Sequence, residues 1–570
     1  MRTFAIFLAL LSMARGEMHM AKVDAMTRVM RTEEVTNSEI TLEAARGEWE
    51  SLQIIVTGPP AEVKGVTLEA TELKGPEGDT IPAPTLLREH YVRVSKSTPM
   101  SPLPAGDYPD ALVPQDFKWQ DLPNGKLVNQ PFWMDAHVPY AIKPGLYAGE
   151  AILKDSKGTE LQRTKIFMRV SDFDLPVVPR LKTSIMTVWR HVAEVHGFDR
   201  QKEPPSPALT ALLEQYYDLL AEHRMSVDQT YPTYPNGKSG KLDEAAIEAG
   251  MRKQLLHRHA STLGLPIWQE WPFGDPLGKD RVAAMRYCAT WMKQLQKIKA
   301  EARGYVIMGD LDEPQDTDGY AHVRRWGDFF NEVEATHGVR LPLLVTEQPT
   351  PDSWWLGRLD NFVDIWVPHF SSVWQDMEGP KGSHDIARRL KAGDEVWCYA
   401  ALVQMPDAWE AAHAKPKVLK ESNPPVWCLD FPAMNHRVIG WLMPRHGITG
   451  LCYWATLAVS PGVDVWQDAG TFQHPSGDVY NGDGSFIYPA TKKKHGRDMP
   501  VASIRLKWLR EMADDYDYLM LARDNGMEAA ALKQASAFAR GFGDWNDDMT
   551  KLYAARRAIA ALITQKGGAR

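Results

Sequence analysis

The feature that most constrains the fold is an alternation of short apolar runs with longer stretches of helical period, which occupies the chain from about residue 180 to residue 525. A strand followed by a helix, repeated, is typical of a parallel sheet, because each parallel crossover needs a long connection. Eight repeats over roughly 300 residues favour a closed (β/α)8 barrel over an open sheet. The predicted strands are 183–189, 225–230, 264–268, 304–309, 341–346, 362–367, 395–400 and 448–454.

Helical period fills most of the intervals between these runs. We place the barrel domain at 180–525, and the alanine-rich residues 526–570 predict closing helices packed on the barrel. The predicted helices of the barrel domain are 207–223, 243–260, 280–300, 319–337, 382–391, 430–442 and 501–523.

The residues before the barrel have a different pattern. Short alternating or β-branched runs, such as 52–56 and 166–170, are separated by proline and glycine, which is typical of an all-β sandwich. Pro176 and Pro179 then end the strands, because proline has no amide hydrogen and a fixed φ. We therefore expect an N-terminal β-sandwich over 17–175, which makes the fold class all-β plus α/β.

The first residues have the pattern of a cleavable signal peptide. Arg2 precedes the apolar run 4–11, and Ala14 and Gly16 supply small residues at a cleavage site. The run is too short to span a bilayer, and no later stretch approaches about 18 uninterrupted apolar residues. We expect residues 1–16 to be removed and the mature protein to be secreted or periplasmic, without membrane insertion.

The charge balance argues against nucleic acid as a partner. Lys and Arg number 65 and Asp and Glu number 73, so the net charge is −8, which offers no net attraction to a phosphate backbone or an anionic bilayer. The basic run 492–495 lies among Gly, Asn, Asp and Pro, and we interpret it as a solvated loop. With 44% apolar residues, the chain belongs to the class of folded globular proteins.

Metal and cofactor chemistry have little support in the sequence. His257 and His259 are two residues apart on a predicted helix and therefore face different sides. The sequence has no His-Glu-x-x-His, no Gly-x-Ser-x-Gly elbow and no phosphate-binding glycine loop before a helix. The acidic segment 478–484 lacks the spacing of an EF-hand, and we interpret it as a turn. We expect neither a metal nor a cofactor.

The four cysteines are too widely spaced to form a Cys-x-x-Cys site. We expect buried free thiols, with one disulfide as the alternative. They are Cys288, Cys398, Cys428 and Cys452.

Three carboxylates directly follow the predicted fourth strand. Asp310, Asp312 and Glu313 lie at the carboxyl end of 304–309, which is where the active site of a (β/α)8 barrel is found. Carboxylates this close repel each other, and a fold can use that repulsion to hold one group protonated and another ionised, as acid catalysis on a glycosidic bond requires. The other interpretation is that they are solvated loop acids that cap the next helix.

Aromatic residues concentrate at the same predicted strand ends. Flat amphipathic rings stack on the C–H faces of sugars, although each ring taken singly is also typical of core packing. Glu347, after the fifth strand, is either a further carboxylate of the site or a charge at the start of a helix. The candidate substrate-binding residues are Trp268, Glu347, Trp366, Trp397, Tyr399, Tyr453 and Trp454.

Several motifs, taken in order, resemble those of glycoside hydrolase family 123 and the related proteins that carry domain of unknown function 4091. In the predicted sandwich they are residues 44–53 (AARGEWESLQ) and 144–149 (PGLYAG). In the predicted barrel, Asp312-Glu313-Pro314 is similar to the catalytic Asp-Glu-Pro of that family. Further matches are 363–368 (VDIWVP), 396–399 (VWCY), 482–489 (GDGSFIYP) and 503–506 (SIRL).

The resemblance implies a sandwich followed by a barrel and a retaining reaction of the β-N-acetylgalactosaminidase type. In such a reaction the substrate's own 2-acetamido oxygen attacks the anomeric carbon and gives an oxazolinium intermediate. Carried onto this sequence, Asp312 orients the acetamido N–H, and Glu313 protonates the leaving oxygen and later deprotonates water. Because adjacent strand residues face opposite sides, we expect the pair to lie beyond the last ladder bond, where the chain turns.

Three functional hypotheses follow. The first is an exported glycosidase for β-linked 2-acetamido sugars in an oligosaccharide or glycoconjugate. The second is a glycosidase for sugars without an acetamido group, in which a separate carboxylate such as Glu347 acts as nucleophile beside Glu313. The third is a non-catalytic carbohydrate-binding surface protein with the same fold.

Overall fold

The computed structural model contains one antiparallel sheet, a second sheet that is antiparallel except for the parallel pair β2 (Thr41–Arg46) and β11 (Glu160–Asp174), a parallel barrel sheet and a set of C-terminal helices. The predicted signal peptide and Trp268 lie outside the residues that the structure describes. Those residues are 18–202, 205–228, 242–265, 272–349, 355–413, 419 and 423–567.

The N-terminal part consists of two facing sheets. In the first the strand order is β1-β3-β9-β7-β8, and in the second it is β2-β11-β10-β5-β6, with β4 also paired to β10. The apolar faces of the two sheets enclose a core of their own, as expected of a sandwich. The strands are β1 (His19–Asp24), β2 (Thr41–Arg46), β3 (Trp49–Gly58), β4 (Thr67–Ala70), β5 (Leu73–Lys74), β6 (Thr80–Ile81), β7 (Thr85–Val94), β8 (Gly106–Val113), β9 (Val128–His137), β10 (Gly145–Lys154) and β11 (Glu160–Asp174).

Seven strands form one parallel sheet in the order β12-β18-β17-β16-β15-β14-β13. Each lies within or against one of the runs predicted from the sequence. They are β12 (Lys182–Ile185), β13 (Leu263–Leu265), β14 (Gly304–Ile307), β15 (Leu343–Val345), β16 (Ile365–Trp366), β17 (Glu395–Ala400) and β18 (Gly450–Tyr453).

The predicted second strand, 225–230, contributes a single bridge, between Val227 and Ile185, among the described residues. On its other side, the amide of Ser261 donates to the Ser226 hydroxyl oxygen at 2.8 Å, so a side chain takes the place of a ladder bond. Residues 229 and 230 lie outside the described part of the chain. The sheet is therefore a nearly closed seven-stranded parallel barrel, and the full eight-stranded arrangement is not confirmed.

Most predicted helices are present. The predicted helix 243–260 is shorter than expected and continues as a π-helical turn at Lys253–His257, and the predicted helix 430–442 consists of two single turns. The helices are α1 (Pro60–Val63), α2 (Trp189–Val195), α3 (Pro207–Glu222), α4 (Glu244–Arg252), α5 (Arg281–Lys297), α6 (Thr317–His337), α7 (Phe370–Met377), α8 (Asp385–Ala392), α9 (Asp407–Ala412), α10 (Met434–Arg437), α11 (Ile439–Leu442), α12 (Lys492–His495), α13 (Ile504–Asp524), α14 (Glu528–Ala535) and α15 (Met549–Gly567).

The described residues also form three two-stranded hairpins outside the three larger sheets. They join β19 (Phe472–Gln473) to β20 (Val479–Tyr480), β21 (Ile487–Ala490) to β22 (Met499–Ala502), and β23 (Ala539–Gly541) to β24 (Asp544–Trp545).

The basic run 492–495 is a helical turn and not the predicted loop. The Thr491 side chain accepts from the amide of Lys494 and so caps the turn. The ring of His495 packs on Trp466, with 4.4 Å between ring centroids, while the three lysines stay exposed or half-exposed.

Helix α13 joins the sandwich to the barrel through buried charges. Its Lys507 and Arg510 form ion pairs of 2.7 and 2.5 Å with Asp135 of β9, and all three side chains are almost fully buried. Burial acts to raise the pKa of Asp135, but the charges of Arg510 and Lys507 hold it far below its usual range. A charge buried this deeply is tolerated only when it is paired, so these contacts fix the two parts against each other.

All four cysteines are buried and free, which confirms the expectation of buried thiols and removes the disulfide alternative. None of the helices in the described part of the chain is long and apolar enough to cross a membrane.

Candidate active site

A cavity of about 390 Å³ opens at the carboxyl ends of the barrel strands. Its walls come from the ends of β12, β14 and β15 and from the segment that contains the single bridge. This is the position at which barrel folds place their active sites. The lining residues are Met186, Thr187, Val188, Trp189, Arg190, Asp228, Ile307, Met308, Gly309, Leu311, Asp312, Leu344 and Thr346.

Asp312 and Glu313 lie past the end of β14, after the single helical turn Gly309–Leu311, and both are exposed. Glu313 has a φ of 42°, in the left-handed region that non-glycine residues rarely adopt. It also precedes Pro314, which normally favours an extended residue. A backbone of this kind costs about 1–3 kcal/mol and persists only where its surroundings hold it.

Thr346, the residue after β15, supplies one of those constraints. Its hydroxyl donates to Oδ1 of Asp312 at 2.5 Å, and its oxygen accepts the main-chain N–H of Glu313 at 2.9 Å. One side chain therefore orients the Asp312 carboxylate and fixes the backbone of Glu313. The donated proton also means that Asp312 is held as a hydrogen-bond acceptor.

Tyr399, near the end of β17, holds the other carboxylate. Its hydroxyl donates to Oε1 of Glu313 at 2.5 Å. Burial raises the pKa of Tyr399, and the hydrogen bond with Glu313 and its negative charge raise it further. The phenol is therefore protonated at neutral pH and available as a donor.

The ring of His369 packs against the ring of Tyr399. The two rings meet edge to face with 5.2 Å between their centroids. Burial lowers the pKa of His369 to about 4, so the imidazole is neutral at ordinary pH. It packs against Tyr399 without adding a charge to the site.

Glu347 lies beside this group and is half-buried. Burial raises its pKa to about 7, the negative charge of Glu313 adds to the rise, and hydrogen bonds from the amide of Gln348 and from Tyr320 oppose it. The Gln348 N–H donates to Oε1 of Glu347 at 2.7 Å. Glu347 is thus a carboxyl group that holds its proton up to near-neutral pH.

Asp310 turns away from the pair. Its Oδ2 contacts Nε2 of His322, on α6, at 2.8 Å. The third carboxylate of the sequence motif therefore pairs with the following helix, while Asp312 pairs with Thr346.

The structure does not bring Trp366 and Trp397 to the carboxylates. Trp366 faces the helices outside the sheet, where its indole N–H donates to Asp394 at 2.8 Å. Trp397 fills the barrel interior at the opposite end, with its N–H 3.1 Å from Glu395. Because strand side chains alternate with a period of two, Trp397 and Tyr399 share the inner face, but only Tyr399 is at the carboxyl end.

Tyr453 and Trp454, at the end of β18, serve to hold Asp483. Both donate to its Oδ1, at 3.0 and 3.3 Å, and the amide of Leu402 donates to its Oδ2 at 3.0 Å. The Tyr453 ring packs on Phe486, with centroids 4.6 Å apart. Asp483 therefore connects the ends of β17 and β18 through these hydrogen bonds. The sequence analysis interpreted its segment, 478–484, as a turn and did not predict this structural role. Trp268 lies outside the described residues.

The cavity residues that sequence reasoning did not select include Trp189, Arg190, Asp228 and Thr346. Trp189 ends the predicted first strand, so the rule that selected Asp312 also applies to it, whereas Asp228 lies inside the predicted second strand. Thr346 ends the predicted fifth strand, but a threonine at that position has no distinctive signal. Among the described residues, no group of three or more His, Cys, Asp and Glu side chains is placed to hold a metal ion.

No family model matches the sequence, and no curated protein matches it. A solved structure does match: a family 123 glycoside hydrolase from Clostridium perfringens, analysed for glycolipid glycan hydrolysis, aligns over 96% of this chain and 98% of that chain with a TM-score of 0.65 at 12% identity. The chain has the fold of a family 123 glycoside hydrolase.

Two further solved structures align over smaller shares. A family 138 glycoside hydrolase that targets pectin rhamnogalacturonan II matches 66% of this chain and 43% of its own, with a TM-score of 0.27 at 11% identity. The cell-surface chitinase ChiW from a Paenibacillus species matches 67% and 32%, with a TM-score of 0.19 at 8% identity. TM-scores of this size do not establish a shared overall fold.

The family 123 fold agrees with the resemblance that the sequence motifs predict. At 12% identity the match concerns the architecture, a sandwich and a barrel in one chain. The chemistry of this chain must be argued from its own residues.

Proposed function

We propose that the protein is an exported glycoside hydrolase that cleaves β-linked 2-acetamido sugars of the N-acetylgalactosamine type by retaining, substrate-assisted catalysis. One observation carries the proposal. Asp312 and Glu313 are consecutive residues at the mouth of the barrel, and separate neighbours, Thr346 and Tyr399, orient their carboxyl groups. The family 123 fold and the signal pattern of residues 1–16 support it.

Asp312 is the group that orients the acetamido substituent. It lines the cavity, and the Thr346 hydroxyl donates to it, so it acts as an acceptor. An acceptor at this place can take the acetamido N–H and stabilise the positive charge that develops when the amide oxygen attacks the anomeric carbon.

Glu313 is the general acid and base. It protonates the leaving oxygen as the glycosidic bond breaks, and it later removes a proton from the water that opens the oxazolinium ring. Tyr399 holds Oε1 of Glu313, which leaves Oε2 to meet the substrate. The left-handed backbone at Glu313 breaks the alternation that would send neighbouring side chains to opposite sides.

The two-carboxylate alternative uses Glu347 as a nucleophile on sugars without an acetamido group. The position of Glu347 beside Glu313 favours it, but burial raises the pKa of Glu347 to about 7, so protonation opposes its action as a nucleophile below that pH. A protonated carboxyl group is a poor nucleophile. Substrate assistance needs no second carboxylate nucleophile and is therefore the better account.

Release of chromophore from a panel of aryl β-glycosides tests the proposal, with Glu313→Gln and Asp312→Asn alongside the mature protein. We expect hydrolysis of 2-acetamido glycosides only and a loss of roughly 1,000-fold or more in kcat with either variant. Hydrolysis confined to glycosides without the acetamido group would contradict the proposal and support the alternative in which Glu347 is the nucleophile. Binding to a glycan array with no hydrolysis would favour a carbohydrate-binding protein.

A thiazoline analogue of the oxazolinium intermediate provides an independent test. Strong competitive inhibition supports participation of the acetamido group, because the analogue imitates an intermediate that only this route forms. If the enzyme is active and the thiazoline does not inhibit it, participation of the acetamido group is contradicted.

A further inference from the structure

Asp228 is a buried carboxylate in the wall of the candidate active site to which the proposed mechanism assigns no step. It is 6% exposed and lines the same cavity as Asp312. Its amide donates to the Ile185 carbonyl at 3.1 Å, and its Oδ1 accepts the amide of Thr187 at 3.3 Å. Both contacts tie it to the end of β12.

The packing around Asp228 places it two strand positions from β14, the strand that precedes Asp312 and Glu313. A Cβ at Gly264 would lie 2.1 Å from the carbonyl oxygen of Asp228, so this glycine lets β13 lie directly beside the Asp228 segment. β14, which leads to Asp312, is the next strand. With about 4.8 Å between neighbouring strands, two steps span roughly 10 Å.

A spacing of this order between the Asp228 segment and β14 leaves room for a sugar ring between the two parts of the cavity wall. A pyranose with its exocyclic oxygens, plus a hydrogen bond of about 2.8 Å at each end, fills a gap of this size. The cavity volume of about 390 Å³ is near the lower end of the range for small-molecule sites, about 300–1,000 Å³. With Asp312 at the acetamido group, Asp228 meets the opposite edge of the ring.

The oxygens of a carboxyl group accept hydrogen bonds, and the hydroxyl groups of a sugar are donors. We propose that Asp228 binds a ring hydroxyl at the edge remote from the acetamido group and so selects sugars in which that hydroxyl is unsubstituted. This inference rests on the proposed function. It makes Asp228 a specificity-determining residue, whereas Asp312 and Glu313 act at the reacting atoms.

The same chemistry says which sugars the site rejects. A sulfate, phosphate or acyl ester at that position removes the donor, and the first two also place a negative charge against Asp228. Arg190 lines the same cavity, with its guanidinium 4.6 Å from the Trp189 ring centroid.

Deoxy substrates test the inference. The kcat/KM values of the wild type, Asp228→Asn and Asp228→Ala are compared on an aryl 2-acetamido glycoside and its 3-, 4- and 6-deoxy analogues. We expect one analogue to lose about 100-fold with the wild type, and Asp228→Ala to lose a similar factor on the parent but little more on that analogue. Equal losses by Asp228→Ala on the parent and all three analogues would overturn the inference.

Asp394→Asn is the matched control, because Asp394 is a largely buried barrel acid at the amino end of β17 that binds Trp366 and Arg389. This variant should lower the melting temperature without changing the ratio of the kcat/KM values for the parent and the deoxy substrates. A purely structural role of Asp228 would make its variants behave in the same way.

The design separates failure of this inference from failure of the proposed function. If the wild type hydrolyses only glycosides without an acetamido group, the proposed function is wrong, and the deoxy series is repeated on the sugar that is cleaved. If it hydrolyses none, calorimetry with the methyl glycosides replaces kinetics. Equal affinities of the wild type and Asp228→Ala for the parent sugar would then overturn the role of Asp228.

Discussion

The phenol of Tyr399 donates a 2.5 Å hydrogen bond to Oε1 of Glu313, across 86 residues of sequence. The bond joins the strand β17 to the turn that follows β14, and it adds to the support that Thr346 gives the backbone of Glu313. A carboxyl group that must give up and take back a proton along one line needs this kind of orientation.

Tyr399→Phe removes the bond and keeps the ring. We expect kcat to fall about 10- to 100-fold with KM nearly unchanged, because the substrate still binds while Glu313 is no longer held in line. Steady-state kinetics on the preferred aryl glycoside measure the effect. Tyr305→Phe, which removes a buried hydroxyl bonded to Ser184 inside the barrel, should lower the melting temperature and leave kcat in place. Equal kinetic losses in the two variants would contradict the role of Tyr399.

Thr346→Val replaces a hydroxyl by a methyl group of the same shape. It removes the donor to Asp312 and the acceptor for the Glu313 amide together, and we expect kcat to fall about 100-fold or more. Thr346→Ser keeps the hydroxyl and should recover most of that loss. If serine is as damaging as valine, the two hydrogen bonds are not the reason for the effect.

Glu347 makes the stability of the protein depend on pH. Its pKa is raised from 4.5 to about 7, so the folded state binds its proton more tightly than the unfolded chain does. This contribution is complete below about pH 4.5 and is lost as the pH rises to about 7, a change of up to about 3 kcal/mol.

The variant Glu347→Gln cannot lose a proton at this position, so its free energy of unfolding should not fall with rising pH for this reason. Melting temperatures of the wild type and the variant, measured between pH 4.5 and pH 8, should diverge in favour of the variant as the pH rises. Parallel curves would show that Glu347 does not hold a proton in the folded protein.

Asp135→Asn should destabilise the whole chain. It leaves Lys507 and Arg510 buried without their partner, and breaking a buried pair in this way costs about 3–5 kcal/mol. Because the pKa of Asp135 is held below its ordinary value, its stabilising effect is present above about pH 4 and is lost on acidification.

Thermal unfolding at pH 7 measures that cost, and an exposed acid such as Asp172 changed to Asn is the control. A loss for Asp135→Asn no larger than the control's would show that the buried pairs contribute nothing. The wild type itself should lose this contribution when the pH is taken well below 4.

The barrel strands and the positions of the two candidate carboxylates were predictable because their signals are local. An apolar run that ends in acidic residues indicates a strand and its carboxyl end, which selected Asp312 and Glu313, and an aromatic residue at the end of another such run selected Tyr399. Asp228 lies inside the predicted second strand, so the rule did not select it. Main-chain hydrogen bonds join Ser226 and Asp228 to Ile185, and on the other side the Ser226 hydroxyl accepts the amide of Ser261.

The directions of the aromatic rings were not predictable in this way. Trp366 occupies a strand of two residues, and whether its ring faces inward or outward depends on a register that the sequence does not specify. The charged face of α13 is a second example. Its Arg510 and Lys507 resemble the solvated residues of an ordinary helix, and only partners several hundred residues away show that they are buried.

The long sequence separation between Asp135 and its two cations also affects the order in which the parts of the protein fold. Asp135 belongs to the half of the chain that the ribosome makes first, yet its two cations come 372 and 375 residues later. Until they arrive, β9 carries an uncompensated charge on a surface that later becomes interior. The first part to be synthesised is then among the last to reach its final stability, and long-range closure of this kind slows folding. During synthesis, the incomplete N-terminal sheets are therefore the part of the chain that most needs a chaperone.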